Sequence, residues 1–177
     1  MQMIPLIFYP LTIICIDDNP EILEILKKNL GNNFRLITYE SAYLALKEIK
    51  STNKFLNKYL NNIFSKENKD NLDLQLNIKI AQISKITMLE ERYKEICIVI
   101  SDYRMSELDG IELFKNISGL GFKKILLTEH QDYQKVMNAF NARTIDLFLL
   151  KSTENIVAEL TENIKNLMKI GRAHVWT

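Results

Sequence analysis

The chain has 177 residues, 47% of them hydrophobic and 25% charged, with a net charge of +1. That length suits a single domain with a real core, and the near-neutral charge offers no electrostatic footprint for nucleic acid or an anionic membrane. The two cysteines, Cys15 and Cys97, lie in apolar runs with no ligand spacing to a histidine, so they read as small buried hydrophobes of a reducing cytosol, not as a metal site.

Residues 1–10 are an apolar lead-in interrupted by Pro5 and Pro10. They lack a basic n-region and a cleavage site, and a membrane span needs roughly 18 apolar residues. The segment is expected to pack on a sheet edge. The run Thr12–Ile16 predicts a buried strand that ends in Asp17 and Asp18. Asn19-Pro20 then supplies a cap and a first helical position, with Ile22, Ile25, Leu26 and Leu30 at helical spacing and Gly31 as a stop. Phe34 to Tyr39 predicts a second strand. Ser41 is placed to cap a helix with the apolar face Ala42, Ala45, Leu46 and Ile49.

From Ser51 to Glu95 the rhythm breaks, and the stretch reads as a mainly helical insertion rich in Asn and Lys. Phe55, Leu56, Tyr59, Leu60, Ile63 and Phe64 form a helical stripe; Ser65 to Asn71 reads as a turn or loop. Leu72, Leu74, Leu76, Ile78 and Ile80 alternate as in a short strand or an extended arm, and Ile83, Ile86 and Leu89 suggest another helix. The alternation then resumes. Strands are expected at Ile96–Ser101, Lys124–Thr128 and Asp146–Leu150, and helices at Ile111–Ile117, Tyr133–Asn141 and Glu154–Met168. Strands alternating with helices predict a doubly wound parallel sheet. The helix pattern stops at Lys169. Residues 170–177 resemble the translation of a sequencing adapter and are expected to be a non-native tail, with native sequence continuing past Lys169.

Four strand ends carry reactive groups: Asp17-Asp18, Asp102, Thr128 and Lys151. Singly, each has a plain role as a cap, turn residue, β-former or solvated terminus. In a parallel sheet all four lie on the carboxyl edge, where open α/β sheets bind ligands. Three carboxylates crowded there repel one another unless a cation sits between them, and an all-oxygen ligand set suits Mg²⁺.

The motifs Ile14-Cys15-Ile16-Asp17-Asp18-Asn19-Pro20, Val99-Ile100-Ser101-Asp102-Tyr103-Arg104-Met105, Leu108-Asp109-Gly110, Ile125-Leu126-Leu127-Thr128 and Phe148-Leu149-Leu150-Lys151 resemble the receiver domain of two-component response regulators. The resemblance covers nearly the whole of 11–169 outside the insertion 51–95. It implies a flavodoxin-like five-stranded sheet in the order 2-1-3-4-5. It implies Asp102 as phosphoacceptor from a histidine kinase or phosphotransfer protein. Mg²⁺ would be held by Asp17, Asp18, Asp102 and the backbone carbonyl of Arg104. Lys151 would offset phosphoryl charge, Thr128 would bond a phosphoryl oxygen, and Phe148 would swing inward. The readout would be the face built by the last two helices and the strand between them, which could also form a homodimer. The chain would then be a cytoplasmic phosphoacceptor rather than an enzyme, able to promote its own phosphoryl transfer and dephosphorylation.

Some residues depart from the family pattern. Ser106 and Ser152 stand where proline is usual, which questions a cis peptide after Lys151. Glu129 stands where a small residue is usual, and His130 follows at a position that tunes phosphate lifetime. An alternative reading is therefore an unphosphorylated interaction module with its site closed by Glu129. A flavin binder would need a Ser/Thr/Gly-rich loop after the first strand, where the chain has Asp17-Asp18-Asn19-Pro20. A haloacid-dehalogenase-like phosphatase would need two aspartates one residue apart there. No phosphate-binding P-loop occurs, and no DNA-binding unit is legible.

Overall fold

The computed structural model describes residues 12–67, 75–78, 96–129 and 132–173, and the side chains of all of these except 53–67, 75–78 and 168–173. The expected lead-in 1–10, the helix around Ile83 and Ile86, and His130 lie outside the described residues.

The main sheet contains β1 (Thr12–Ile16), β2 (Arg35–Tyr39), β5 (Ile96–Asp102), β6 (Lys123–Thr128) and β7 (Leu147–Leu150). Its order is β2-β1-β5-β6-β7 and every pairing is parallel. Counting only its own strands, this is the order 2-1-3-4-5. The described helices are α1 (Pro20–Leu30), α2 (Ala42–Ile63), α3 (Gly110–Asn116), α4 (Tyr133–Asn141) and α5 (Ile156–Ala173).

A sheet covered on both faces needs strands that are apolar on both sides. The central strands satisfy this: β1 and β6 alternate between two separate cores. Ile14, Ile16, Val99 and Leu126 pack with Ala42, Ala45 and Ile49 of α2, Leu113 and Phe114 of α3, and Val136 of α4. Ile13, Cys15, Ile98, Ile100, Ile125 and Leu127 pack on the other face with Leu23, Leu26 and Leu30 of α1 and Leu160 and Ile164 of α5.

Helix α1 starts as its sequence predicts. The Asn19 side chain accepts from the Glu21 amide at 3.0 Å, and Pro20 occupies the first turn. Its buried stripe is Leu23, Leu26 and Leu30, whereas Ile25 is 53% exposed. The expected core position of Ile25 is thus off by part of a turn, because the five apolar residues Ile22, Leu23, Ile25, Leu26 and Leu30 fit two helix rotations about equally well. Gly31 ends α1 in the right-handed conformation, so the stop does not draw on glycine's freedom.

The expected boundary at Ser51 does not mark a break. Helix α2 runs on from Ala42 to Ile63. Phe64, assigned to a helical stripe by sequence, instead opens β3 (Phe64–Glu67). Ser65 to Glu67, expected as loop, continue it. Strand β3 pairs antiparallel with β4 (Gln75–Ile78), in the register Phe64↔Ile78 to Glu67↔Gln75. The alternation at Leu76 and Ile78 is therefore a strand in this part. The described portion of the insertion is helix followed by an antiparallel pair of strands. At the other end, the backbone of α5 stays helical to Ala173, four residues past the expected stop at Lys169.

Helix α4 closes with Thr144 donating to the Ala139 carbonyl and Arg143 to the Phe140 carbonyl, both at 2.9 Å. This double bond pattern requires a left-handed residue, and Arg143 supplies it with φ 57°. An L side chain is strained there by roughly 1 kcal/mol. Replacing Arg143 with glycine is expected to raise stability by about 0.5–1 kcal/mol, read as a higher urea midpoint at unchanged m-value.

Candidate functional site at the carboxyl edge of the sheet

Strands β1 and β5 run side by side, with Ile16 opposite Ser101. Their next residues, Asp17 and Asp102, therefore emerge together at the same edge. Both are buried, at 1% and 6% exposure, while Asp18 faces solvent. One carboxylate oxygen from each of Asp17, Asp18 and Asp102 lies within 4.8 Å of the others.

Two anionic groups cannot be buried this close without compensation. Lys151 provides it from the turn after β7. Its Nζ donates to Asp17 Oδ2 at 2.8 Å and lies 3.0 Å from Asp102 Oδ1. Backbone amides add local hydrogen bonds. Asn19 N–H donates to Asp17 Oδ1 at 2.9 Å, and Tyr103 N–H donates to Asp102 Oδ1 at 2.8 Å. Asp18 Oδ2 accepts from the Ser106 amide at 2.9 Å, which ties the first acidic loop to the one after Asp102.

Charge balance decides the protonation tendencies. Burial lifts the Asp102 carboxyl above its ordinary range, against the lowering by Lys151 and Tyr103, and Asp17 adds to the rise. Burial pulls the Lys151 ammonium down, but its bonds to Asp17 and Asp102 outweigh this and hold it above its usual value. Burial likewise pushes the Cys15 thiol well above its normal range, which makes it an inert core residue.

The loop after Asp102 is fixed by its own backbone. Tyr103 N–H donates to the Leu127 carbonyl at 2.8 Å, and Gly110 N–H to the Tyr103 carbonyl at 3.0 Å. Gly110 must be glycine here, since an added Cβ would overlap the Asp102 carbonyl oxygen and come within 2.6 Å of Leu126 Cδ1. Asp109 caps α3 by accepting from Glu112 N–H at 2.7 Å.

Thr128 ends β6 one strand away, fully buried, with its hydroxyl donating to the Glu129 carbonyl at 3.1 Å. Lys151 N–H donates to the Thr128 carbonyl at 2.9 Å, which holds the two strand ends in step. The Glu129 side chain is exposed. Phe148 sits half-buried between Tyr133 and Phe140 of α4, each at a ring-centroid distance of 5.9 Å in edge-to-face geometry. No peptide among the described residues is cis, the bond after Lys151 included.

Sequence reasoning missed the partner of Arg104. Its guanidinium reaches Asp132 at the start of α4, with Nε 2.6 Å from Oδ2 and a terminal nitrogen donating to Oδ1 at 3.0 Å. The available signal was an aspartate directly before a predicted helix, which reads as a cap; the pairing itself spans 28 residues and has no local signature.

No protein-family model matches the chain, and no curated protein matches it. Solved structures do. The response regulator LqsR of Legionella pneumophila matches with 26% identity and a TM-score of 0.67, over 90% of this chain and 44% of that one. The chain thus spans less than half the length of LqsR. A response regulator receiver domain protein from Clostridium thermocellum matches at 19% identity and TM-score 0.60, over 92% of this chain and 98% of that one. The signal receiver domain of an HD domain-containing protein from Pseudomonas fluorescens matches at 18% identity and TM-score 0.64, over 97% and 96% of the two chains. The fold is that of response-regulator receiver domains. Among the described residues no helix is long and apolar enough to cross a membrane.

Proposed function

On this receiver scaffold, we propose that the chain is a phosphorylation-switched receiver that accepts a phosphoryl group on Asp102. The donor would be a histidine kinase or phosphotransfer protein. The observation that carries the reading is one buried carboxylate, Asp102, lying 3.0 Å from the Lys151 ammonium within a cluster of three acids. An all-oxygen set of this kind fits Mg²⁺. Asp17, Asp18, Asp102 and the Arg104 carbonyl would hold the ion, which would neutralise charge on the phosphoryl oxygens.

The chain's own residues do the rest by positioning, the main requirement of phosphoryl transfer. An Asp102 carboxylate oxygen bonds to phosphorus as the bond to the donor's leaving atom breaks. Lys151 stays beside that oxygen and meets the added charge. The Thr128 hydroxyl leaves the Glu129 carbonyl and donates to a phosphoryl oxygen. That shift draws in the loop between β6 and α4 and lets Phe148 leave its place between Tyr133 and Phe140. The face of α4, β7 and α5 then changes shape, a local charge event with a wider readout. The exposure of Glu129 supports this reading over a site closed by that side chain.

The test is incubation of the protein with phosphoramidate and Mg²⁺, followed by borohydride trapping and mass spectrometry. Label is expected at Asp102 alone, and Asp17→Asn is expected to lower both Mg²⁺ binding and labelling. Label on Asp17 or Asp18, or no label with Mg²⁺ present, would sink the proposal.

A further inference from the structure

Asp132 is a buried carboxylate, 7% exposed, that the chemistry above does not use. It stands at the N-cap of α4 but makes no side-chain capping bond to that helix, where an aspartate ordinarily would. Its carboxylate is taken up by Arg104 through two nitrogens, at 2.6 and 3.0 Å. Only the contact to Oδ1 has hydrogen-bond geometry; Oδ2 is buried without a hydrogen-bond partner and meets Nε as an ion pair alone.

The consequence lies at Asp102, two residues before Arg104. The loop between them and Ser106 is held through its backbone: Tyr103 by Leu127 and Gly110, Ser106 by Asp18. The Arg104 guanidinium is held by Asp132. Released, it would be a mobile cation carried two residues from Asp102, one of the three clustered acids. It would compete for the same oxygens that Lys151 already contacts, and add positive charge where a cation must enter.

We propose that Asp132 is a positioning residue for the cation site, holding the Arg104 guanidinium against α4 and off the three carboxylates. This rests on the reading that those carboxylates bind Mg²⁺. The pair also joins the loop after Asp102 to the start of α4, so the cation site and that helix share one anchor.

The experiment is Mg²⁺ titration of the full chain by calorimetry, with folding checked by circular dichroism. Asp132→Ala is expected to weaken Mg²⁺ binding about tenfold. Asp132→Glu, which keeps the charge pair, is expected to stay close to the wild type. The double variant Arg104→Gln with Asp132→Ala is expected to recover most of the loss, because the competing cation is gone. Unchanged Mg²⁺ affinity in folded Asp132→Ala overturns the proposal. So does a double variant as weak as the single one, which would mean that Asp132 acts only through the fold. If Asp132→Ala does not fold, Asp132→Asn replaces it with the same expected weakening. A wild-type protein that takes up no Mg²⁺ would overturn the metal reading itself, and this proposal with it.

Discussion

Replacing Lys151 with alanine is expected to cost about 3 kcal/mol of stability, because it leaves two buried carboxylates without their shared cation. Asp17 and Asp102 are both nearly inaccessible, and Lys151 Nζ sits within 3.0 Å of each. Removing one partner of a buried pair costs more than the pair itself contributes, since the survivors keep their desolvation penalty. Among the described residues, no other cation is paired with these three carboxylates. Mg²⁺ should then stabilise Lys151→Ala more than it stabilises the wild type, as a divalent cation can take over the neutralisation. Chemical denaturation of both proteins, with and without Mg²⁺, reads both effects. A loss below about 0.5 kcal/mol, the range of ordinary surface changes, would show that the ion pairs do not hold this edge together. The pH dependence has a definite sign. The folded Lys151 value lies above its ordinary one, so its contribution is complete below about 10.4 and is lost as pH rises through the folded value. Lys151→Ala should lack that alkaline loss.

Asp102→Asn is expected to abolish phosphoryl labelling completely, yet to leave the metal-free protein at least as stable as the wild type. The amide keeps the shape and one acceptor for Lys151 and Tyr103 but removes a buried charge next to Asp17. Lys151 keeps Asp17 as its partner, so no cation is stranded. Because Asp102 is the second carboxylate on one ammonium, neutralising it relieves its repulsion with Asp17 and its burial cost, and the change is expected to be neutral to stabilising by about 1 kcal/mol. Burial raises the folded Asp102 value above the unfolded one. Its ionisation therefore costs stability as pH rises from the unfolded value, about 3.9, through the folded one, and the cost vanishes below both. Asp102→Asn should flatten that part of the stability–pH curve. Labelling that persists in Asp102→Asn would move the acceptor elsewhere, and a marked fall in metal-free stability would mean that the charge is net stabilising.

The sequence by itself determined the alternation of strands and helices, the acids and lysine at the strand ends, and the parallel sheet. These are legible because they are local. An apolar run of five residues between helical periods has few other ways to be buried, and a strand's last residue is found by reading along the chain. The expected helix Tyr133–Asn141 matches α4 to the residue. Tertiary structure decided what depends on residues far apart. Whether Leu23 or Ile25 faces the core depends on how α1 rolls against β1 and α5. Phe64 left its helical stripe because β4 offers it a paired partner, Ile78. Asp132, at the start of α4, makes no capping bond and pairs instead with a guanidinium carried by another loop. The joint grip of Lys151 on Asp17 and Asp102 brings together residues separated by 134 positions, in the case of Asp17. Periodicity along the chain carries no record of such pairings, because it is the sheet order that sets which strand ends become neighbours.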